Sequence, residues 1–276
     1  MTEKQFIESI IRSAKAPQDI LYNLVSARGI FLEQEGDRLF CSDNGTKNDA
    51  KYLNQLLNTY DIGTVEISDC KNIRPKIHIY HPENIPCLAD GLFIETQNIP
   101  EDICTINANE IHVWKQFRRR LHGFKVDVIR IEPYIARYIK VLNACGISTD
   151  SSCDGHHAMR GKLVVEIRQP YMKKWHINLW NEYLYRIFPD LHWNPNYDTL
   201  TFKVGDFNSY LLLNQVAAYL YERRKALRTI RYTASREITN AMYKQAIRDG
   251  HTDLLFEKFL EKANSMLVTK KVFEEE

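Results

Sequence analysis

Lys125-Val126-Asp127-Val128-Ile129-Arg130-Ile131 reads as a strand by its apolar alternation. Pro133 then opens a helix carrying Ile135, Tyr138, Ile139 and Leu142, and Gly146 closes it. A polar loop follows over 148–157, then a strand over 163–167 and an aromatic helix over 170–188. A strand over 199–204 and a helix from Asn208 or Ser209 to about residue 227 complete the run. The order β-α-loop-β-α-β-α predicts an α/β (or α+β) fold, a mixed-sheet sandwich with helices.

The N-terminal half is read outward from the same logic. Phe6, Ile10 and Ile11, then Ile20, Leu21, Leu24 and Val25, give two helices within 3–28, parted by Pro17 and stopped by Gly29. Short strands over 29–32 and 38–41 flank Glu35-Gly36-Asp37, a hairpin turn signal. Asn48 or Asp49 caps a helix running to about Tyr60, and strands follow over 63–67 and 76–80. Pro82, Pro86 and Pro100 punctuate residues 82–109, where only Gly91-Leu92-Phe93-Ile94-Glu95 reads as a strand. A boundary near residue 109 therefore predicts two lobes. Residues 1–109 form an N-terminal α/β lobe, and residues 110–276 form a second that ends in a helical tail.

Composition narrows the class. Apolar residues make up 44% and charged residues 26% of 276, as in soluble globular proteins. Six cysteines stand at 41, 70, 87, 104, 145 and 153 without a C-x-x-C pair. The start, Met1-Thr2-Glu3-Lys4-Gln5, lacks a secretory pattern, and no window approaches the roughly 18 apolar residues of a membrane span. A cytoplasmic protein with reduced thiols and no membrane partner is expected.

The richest chemistry lies in Ser148-Thr149-Asp150-Ser151-Ser152-Cys153-Asp154-Gly155-His156-His157. Cys153 and His156 have C-x-x-H spacing, with His157 adjacent. A turn can bring a thiolate and imidazoles onto one zinc ion, with Cys145 a further candidate. Alternatively Cys153 is a nucleophile with His156 or His157 as base. A third reading is a ligand cradle, with Ser151, Ser152 and Gly155 approaching the ligand while Asp150 and Asp154 orient it. The plainest reading is a polar turn, since Asp154-Gly155 is a common turn pair.

Ser151-Ser152-Cys153-Asp154-Gly155 resembles the Ser-Ser-Cys-Ser-Gly-Arg motif of the tRNA wybutosine-synthesising methyltransferase family. Here His156 stands in place of the arginine and Asp154 in place of a serine. Ser152-Cys153-Asp154-Gly155-His156 is also similar to a Ser-Cys-x-Gly-His motif of uncharacterised bacterial and phage proteins. The resemblance covers about 30 residues. It implies a nucleic-acid context, with S-adenosylmethionine as the cofactor of such a transferase.

Two basic clusters add to this. One holds Lys115, Arg118, Arg119, Arg120, His122 and Lys125; the other holds Arg223, Arg224, Lys225, Arg228, Arg231 and Arg236. At a net charge of +2 they make the surface uneven, and phosphate backbones are drawn to such patches. Tyr219, Tyr221 and Tyr232 beside the second cluster suit base stacking. The plain alternative is complementation of a helix C-terminus by solvated cations. On the strand over 76–80, Lys76, His78 and Tyr80 share one face and Ile77 and Ile79 the other. No glycine-rich phosphate loop or dinucleotide fingerprint is present.

The expected function is a nucleic-acid- or nucleotide-directed enzyme, a transferase or metal-dependent hydrolase. Its catalytic groups are Cys153, His156, Asp154 and Asp150, its metal ligands Cys153, His156 and His157. Its ligand contacts are Ser151, Ser152, Gly155, Arg224, Arg228 and Arg231. The alternative is a non-catalytic RNA-, DNA- or ligand-binding protein in which the loop is a structural turn or sensor.

Overall fold

A computed structural model describes residues 3–42, 44–67, 74–93, 127–147, 149–153, 162–167, 187–188, 199–203, 207–229 and 240–251, with 254, 255, 257, 258, 261 and 265. The chain divides into two compact units. The first comprises Met1–Leu121, Lys125–Lys140 and Asp206–Asn214; the second comprises His122–Phe124, Val141–Gly205 and Gln215–Glu276. The boundary expected near residue 109 lies outside the described residues.

The first unit begins with helices α1 (Glu3–Ser13) and α2 (Pro17–Ala27). Helix α2 starts on Pro17, whose missing N–H costs nothing there. It ends where Gly29 takes φ +93°, a left-handed turn that suits glycine. A Cβ on Gly29 would lie 3.0 Å from the Ala136 backbone, so the position also sets a close approach between chain segments. Strands β1 (Leu32–Glu35) and β2 (Arg38–Cys41) form a hairpin around Gly36, which has φ +63°, as expected of the turn, but β1 lies three residues beyond the strand expected over 29–32. Helix α3 (Lys47–Thr59) follows, then strands β3 (Gly63–Glu66) and β4 (Lys76–Ile79).

These strands make one antiparallel sheet of order β1-β2-β4-β3. Leu32, Leu39, Cys41, Val65 and Ile77 are buried on its inner face. They belong to a core with Leu21, Leu24 and Val25 of α2 and Leu53, Leu56 and Leu57 of α3. Each buried leucine is worth about 1.5–3 kcal/mol of apolar transfer.

A 3-10 segment (Pro82–Leu88) leads into helix α4 (Ala89–Leu92), so Gly91 and Leu92, expected to begin a strand over 91–95, are helical, while Ile94 and Glu95 lie outside the described residues. Ile85, Leu88 and Leu92 recur at helical spacing and are fully buried. Gly91 fits under the Tyr60 ring, where a Cβ would meet ring atoms at 2.8 Å. The strand expected over 125–131 is also corrected. Val128–Arg130 is a 3-10 turn leading into helix α5 (Pro133–Ala144). Ile131 N–H donates to the Val128 carbonyl at 3.1 Å, and Val128, Ile129 and Ile131 are buried while Arg130 is exposed, a pattern of burial that is not the strict alternation of a strand.

The second unit contains strands β5 (Thr149–Cys153), β6 (Lys162–Ile167) and β7 (Thr199–Lys203) in antiparallel order β5-β6-β7. Its described core includes Val141, Leu142, Cys145 and Ile147, with Val216, Ala217 and Leu220 of helix α6 (Phe207–Glu222), and Leu227 beyond it. Helix α7 (Asn240–Asp249) follows. Helices and strands are thus combined, as expected of an α/β or α+β chain. The mixed sheet is not what is found, because every described ladder is antiparallel. No helix among the described residues is long and apolar enough to cross a membrane.

Candidate functional site

The stretch expected as a loop over 148–157 is strand for half its length. Thr149–Cys153 pairs with β6 in the register Thr149↔Ile167, Ser152↔Val165 and Cys153↔Val164, with an irregularity between Thr149 and Ser152. The ladder with β6 outcompetes the local side-chain turns that Ser and Asp favour. Asp150, Ser151, Ser152 and Cys153 therefore sit on a paired strand. The side chains of these four, and Asp154, Gly155, His156 and His157 altogether, lie outside the described residues, as does Arg231. Among the described residues no three His, Cys, Asp or Glu side chains group as metal ligands.

Cys145, the further candidate ligand, is a core thiol. Its Sγ donates to the Leu220 carbonyl at 3.7 Å, and burial pushes its pKa up to about 12. Burial likewise pushes Cys41 up to about 12, whereas Cys87 is exposed. Thiolates are the reactive form, so alkylation of the native protein with iodoacetamide at pH 8 should modify Cys87 and spare Cys41 and Cys145. Peptide mapping by mass spectrometry checks this; early modification of Cys145 contradicts its placement.

The second basic cluster is partly engaged at the end of α6. The Arg223 guanidinium lies 3.8 Å from the Tyr219 ring centroid and donates to the Tyr219 carbonyl at 3.1 Å. Arg224 lies 4.0 Å from the Tyr221 centroid and donates to the Tyr221 carbonyl at 2.9 Å. Both thereby satisfy last-turn carbonyls and complement the helix dipole. Phe188 meets Tyr219 edge-on at 5.4 Å, so that ring is a packing element. Arg224 and Arg228 are half-buried, and their charge favours the thiolate form of buried Cys145. Of the described cations here, Lys225 is the exposed one.

The first unit offers a better-formed surface. Pairing fixes which residues share the outer face of its sheet. Glu33 opposes Phe40, Phe40 opposes Lys76, Lys76 opposes Glu66, and Thr64 opposes His78. Arg38 and Glu35 pair on the same face, and Tyr80 continues it past β4. Tyr80 is 62% exposed, with its hydroxyl 3.3 Å from that of Thr64. Arg74 lies 5.0 Å from the Phe40 ring centroid and bridges Glu33 at 2.6 Å and Glu35 at closer range, which raises its pKa. His78 Nε2 stands 3.2 Å from Glu66, and His81 faces Glu83 and Asp61 instead, so the two imidazoles do not converge. The central strands β2 and β4 thus carry aromatic rings interleaved with cations on a face that α2 and α3 do not fill.

Behind this sheet a buried ionic network holds the unit. Lys140 and Asp49 form a tight pair, with side chains 1% and 3% exposed. The same carboxylate accepts from Val128 N–H at 2.6 Å and from Thr46 N–H at 2.8 Å. Arg28, fully buried, donates to the Ile131 carbonyl at 2.9 Å, and burial lowers its pKa against the opposing pull of Tyr52 and Asp49. Every partner is internal, which assigns the network to architecture. No family model, curated protein or solved structure matches this chain.

Proposed function

We propose that this protein binds nucleic acid, and that the outer face of the sheet β1-β2-β4-β3 is its contact surface. Of the two forms the sequence suggested, this is the binding protein rather than the enzyme. The observation that carries it is Tyr80, a largely exposed ring at the end of a central strand, in line with His78 and Lys76 and lining one cleft with Arg38 of β2. An exposed tyrosine has an apolar ring face and a polar tip, a surface on which a base can stack. Single-stranded RNA and DNA are taken up by such faces, their bases stacking on rings and their phosphates meeting Lys and Arg. The face also carries Glu33, Glu35 and Glu66, so its charge is balanced. Stacking rather than phosphate neutralisation then supplies most of the affinity, and the salt dependence is shallow.

Fluorescence anisotropy with labelled single-stranded 12-mers of mixed sequence tests this. Tyr80→Ala is expected to weaken binding by about 1–3 kcal/mol, the worth of one stacked base. An affinity indifferent to Tyr80→Ala, or no binding at low salt, removes the proposal.

The enzymatic reading keeps a test of its own in the second unit. Stoichiometric zinc in purified protein, lost in Cys153→Ser, supports a metal-dependent centre at Cys153, His156 and His157. Metal-free protein argues for a polar strand end.

A further inference from the structure

The ladder between β2 and β4 stops early. It runs through Phe40↔Lys76 and Leu39↔Ile77, while β3 and β4 remain paired to Gly63↔Ile79. The two central strands part beyond Leu39. Between them lies a cleft of about 220 Å³ lined by Gln18, Asp37, Arg38 and Leu39 on one side and by residues 76–80 on the other.

The direction of the backbone groups in this cleft follows from alternation. Cys41 N–H donates to the Pro75 carbonyl at 2.8 Å, and Tyr80 N–H to the Ile62 carbonyl at 2.8 Å. Even-numbered residues of β4 therefore bond toward β3, and odd-numbered ones toward β2. Ile79 is odd-numbered. Its N–H and C=O turn into the cleft, where the residue opposite in register, Asp37, belongs to the hairpin turn and forms no ladder bond with it. A strand donor and acceptor are left side by side in a cleft that Gln18 and Asp37 also line.

We infer that this cleft is a subsite for one unstacked nucleobase, whose hydrogen-bonding edge meets the Ile79 N–H and C=O and the Gln18 side chain. The inference rests on the nucleic-acid reading of the sheet face and places one base of the bound strand. The shape favours a flat ring over an extended peptide. The paired residues Leu39 and Ile77 close one end, so a strand cannot run through. Tyr80 at the open end offers a ring for the next base, and Arg38 lines the cleft beside the hairpin turn, where the sugar-phosphate chain must leave it. A main-chain donor and acceptor suit adenine, guanine, cytosine and uracil edges alike, so little base preference is expected.

The test uses the full chain. Adenosine and uridine 5′-monophosphates are titrated into ¹⁵N-labelled protein, and the same protein and Gln18→Ala are titrated with the single-stranded 12-mer. The subsite predicts that the Ile79 amide resonance shifts with each mononucleotide. It also predicts that Gln18→Ala weakens 12-mer binding on the order of tenfold, the worth of one hydrogen bond to a buried edge. Twelve-mer binding that depends on Tyr80 while Ile79 stays unmoved and Gln18→Ala binds normally overturns the subsite and leaves the surface reading standing. Loss of all 12-mer binding overturns the surface reading, and the subsite with it.

Discussion

Asp49→Ala is expected to destabilise the first unit by about 3–5 kcal/mol, the range for breaking a buried ion pair by removing one partner. Lys140, 1% exposed at its side chain, would be left with no carboxylate beside it. Val128 N–H would lose its acceptor in a buried turn, and the first turn of α3 would lose the Asp49 half of its capping box. Urea denaturation followed by far-UV circular dichroism measures the loss. Adding Lys140→Met should restore part of it, because the double variant no longer strands a charge. A single-variant loss below about 1 kcal/mol would place the pair among solvated ones.

Gly63→Ala has a comparable effect by a different route. A Cβ there would stand 1.9 Å from the His78 carbonyl oxygen, and that oxygen is main chain in a neighbouring strand. No rotamer change relieves such a contact, so β3 and β4 must separate. Overpacking of this kind costs about 1–3 kcal/mol, and more where backbone must move. Since β4 carries His78 and leads into Tyr80, the variant should lose the proposed nucleic-acid binding together with stability. Thermal denaturation and anisotropy on the same preparation report both. An alanine variant with unchanged melting would contradict the register Gly63↔Ile79.

Local signals in the sequence carried the first unit a long way. Gly36 marked the hairpin, and the alternation of Lys76, Ile77, His78, Ile79 and Tyr80 sorted the two faces correctly, with Ile77 buried and Tyr80 exposed. The cap of α3 was displaced by a few residues. Thr46 takes the N-cap and Asp49 sits three residues later, a T-x-x-D box that the sequence already displayed. What failed was decided at a distance. Val128 turns instead of extending because its N–H is claimed by Asp49, 79 residues away. Nothing around Lys140, between Ile139 and Val141, shows that its ammonium is to be buried on a carboxylate 91 positions earlier. The cleft was hidden for a similar reason, since it depends on where the β2–β4 ladder ends. Ser151, Ser152 and Cys153 were read as loop because their side chains favour turns, while the pairing with β6 that makes them strand is a property of two segments together.

The discontinuity of the first unit has a consequence for its synthesis. Asp49, Arg28 and the start of α3 leave the ribosome long before Val128, Ile131 and Lys140 exist to satisfy them, and Asn214, which accepts from Arg137 at 3.0 Å, comes later still. Domains usually fold N-terminal first as the chain emerges. This one must wait for segments made well after its own sheet. A nascent chain arrested before residue 128 should be held open and protease-sensitive, and one extended past residue 214 and clear of the exit tunnel should close.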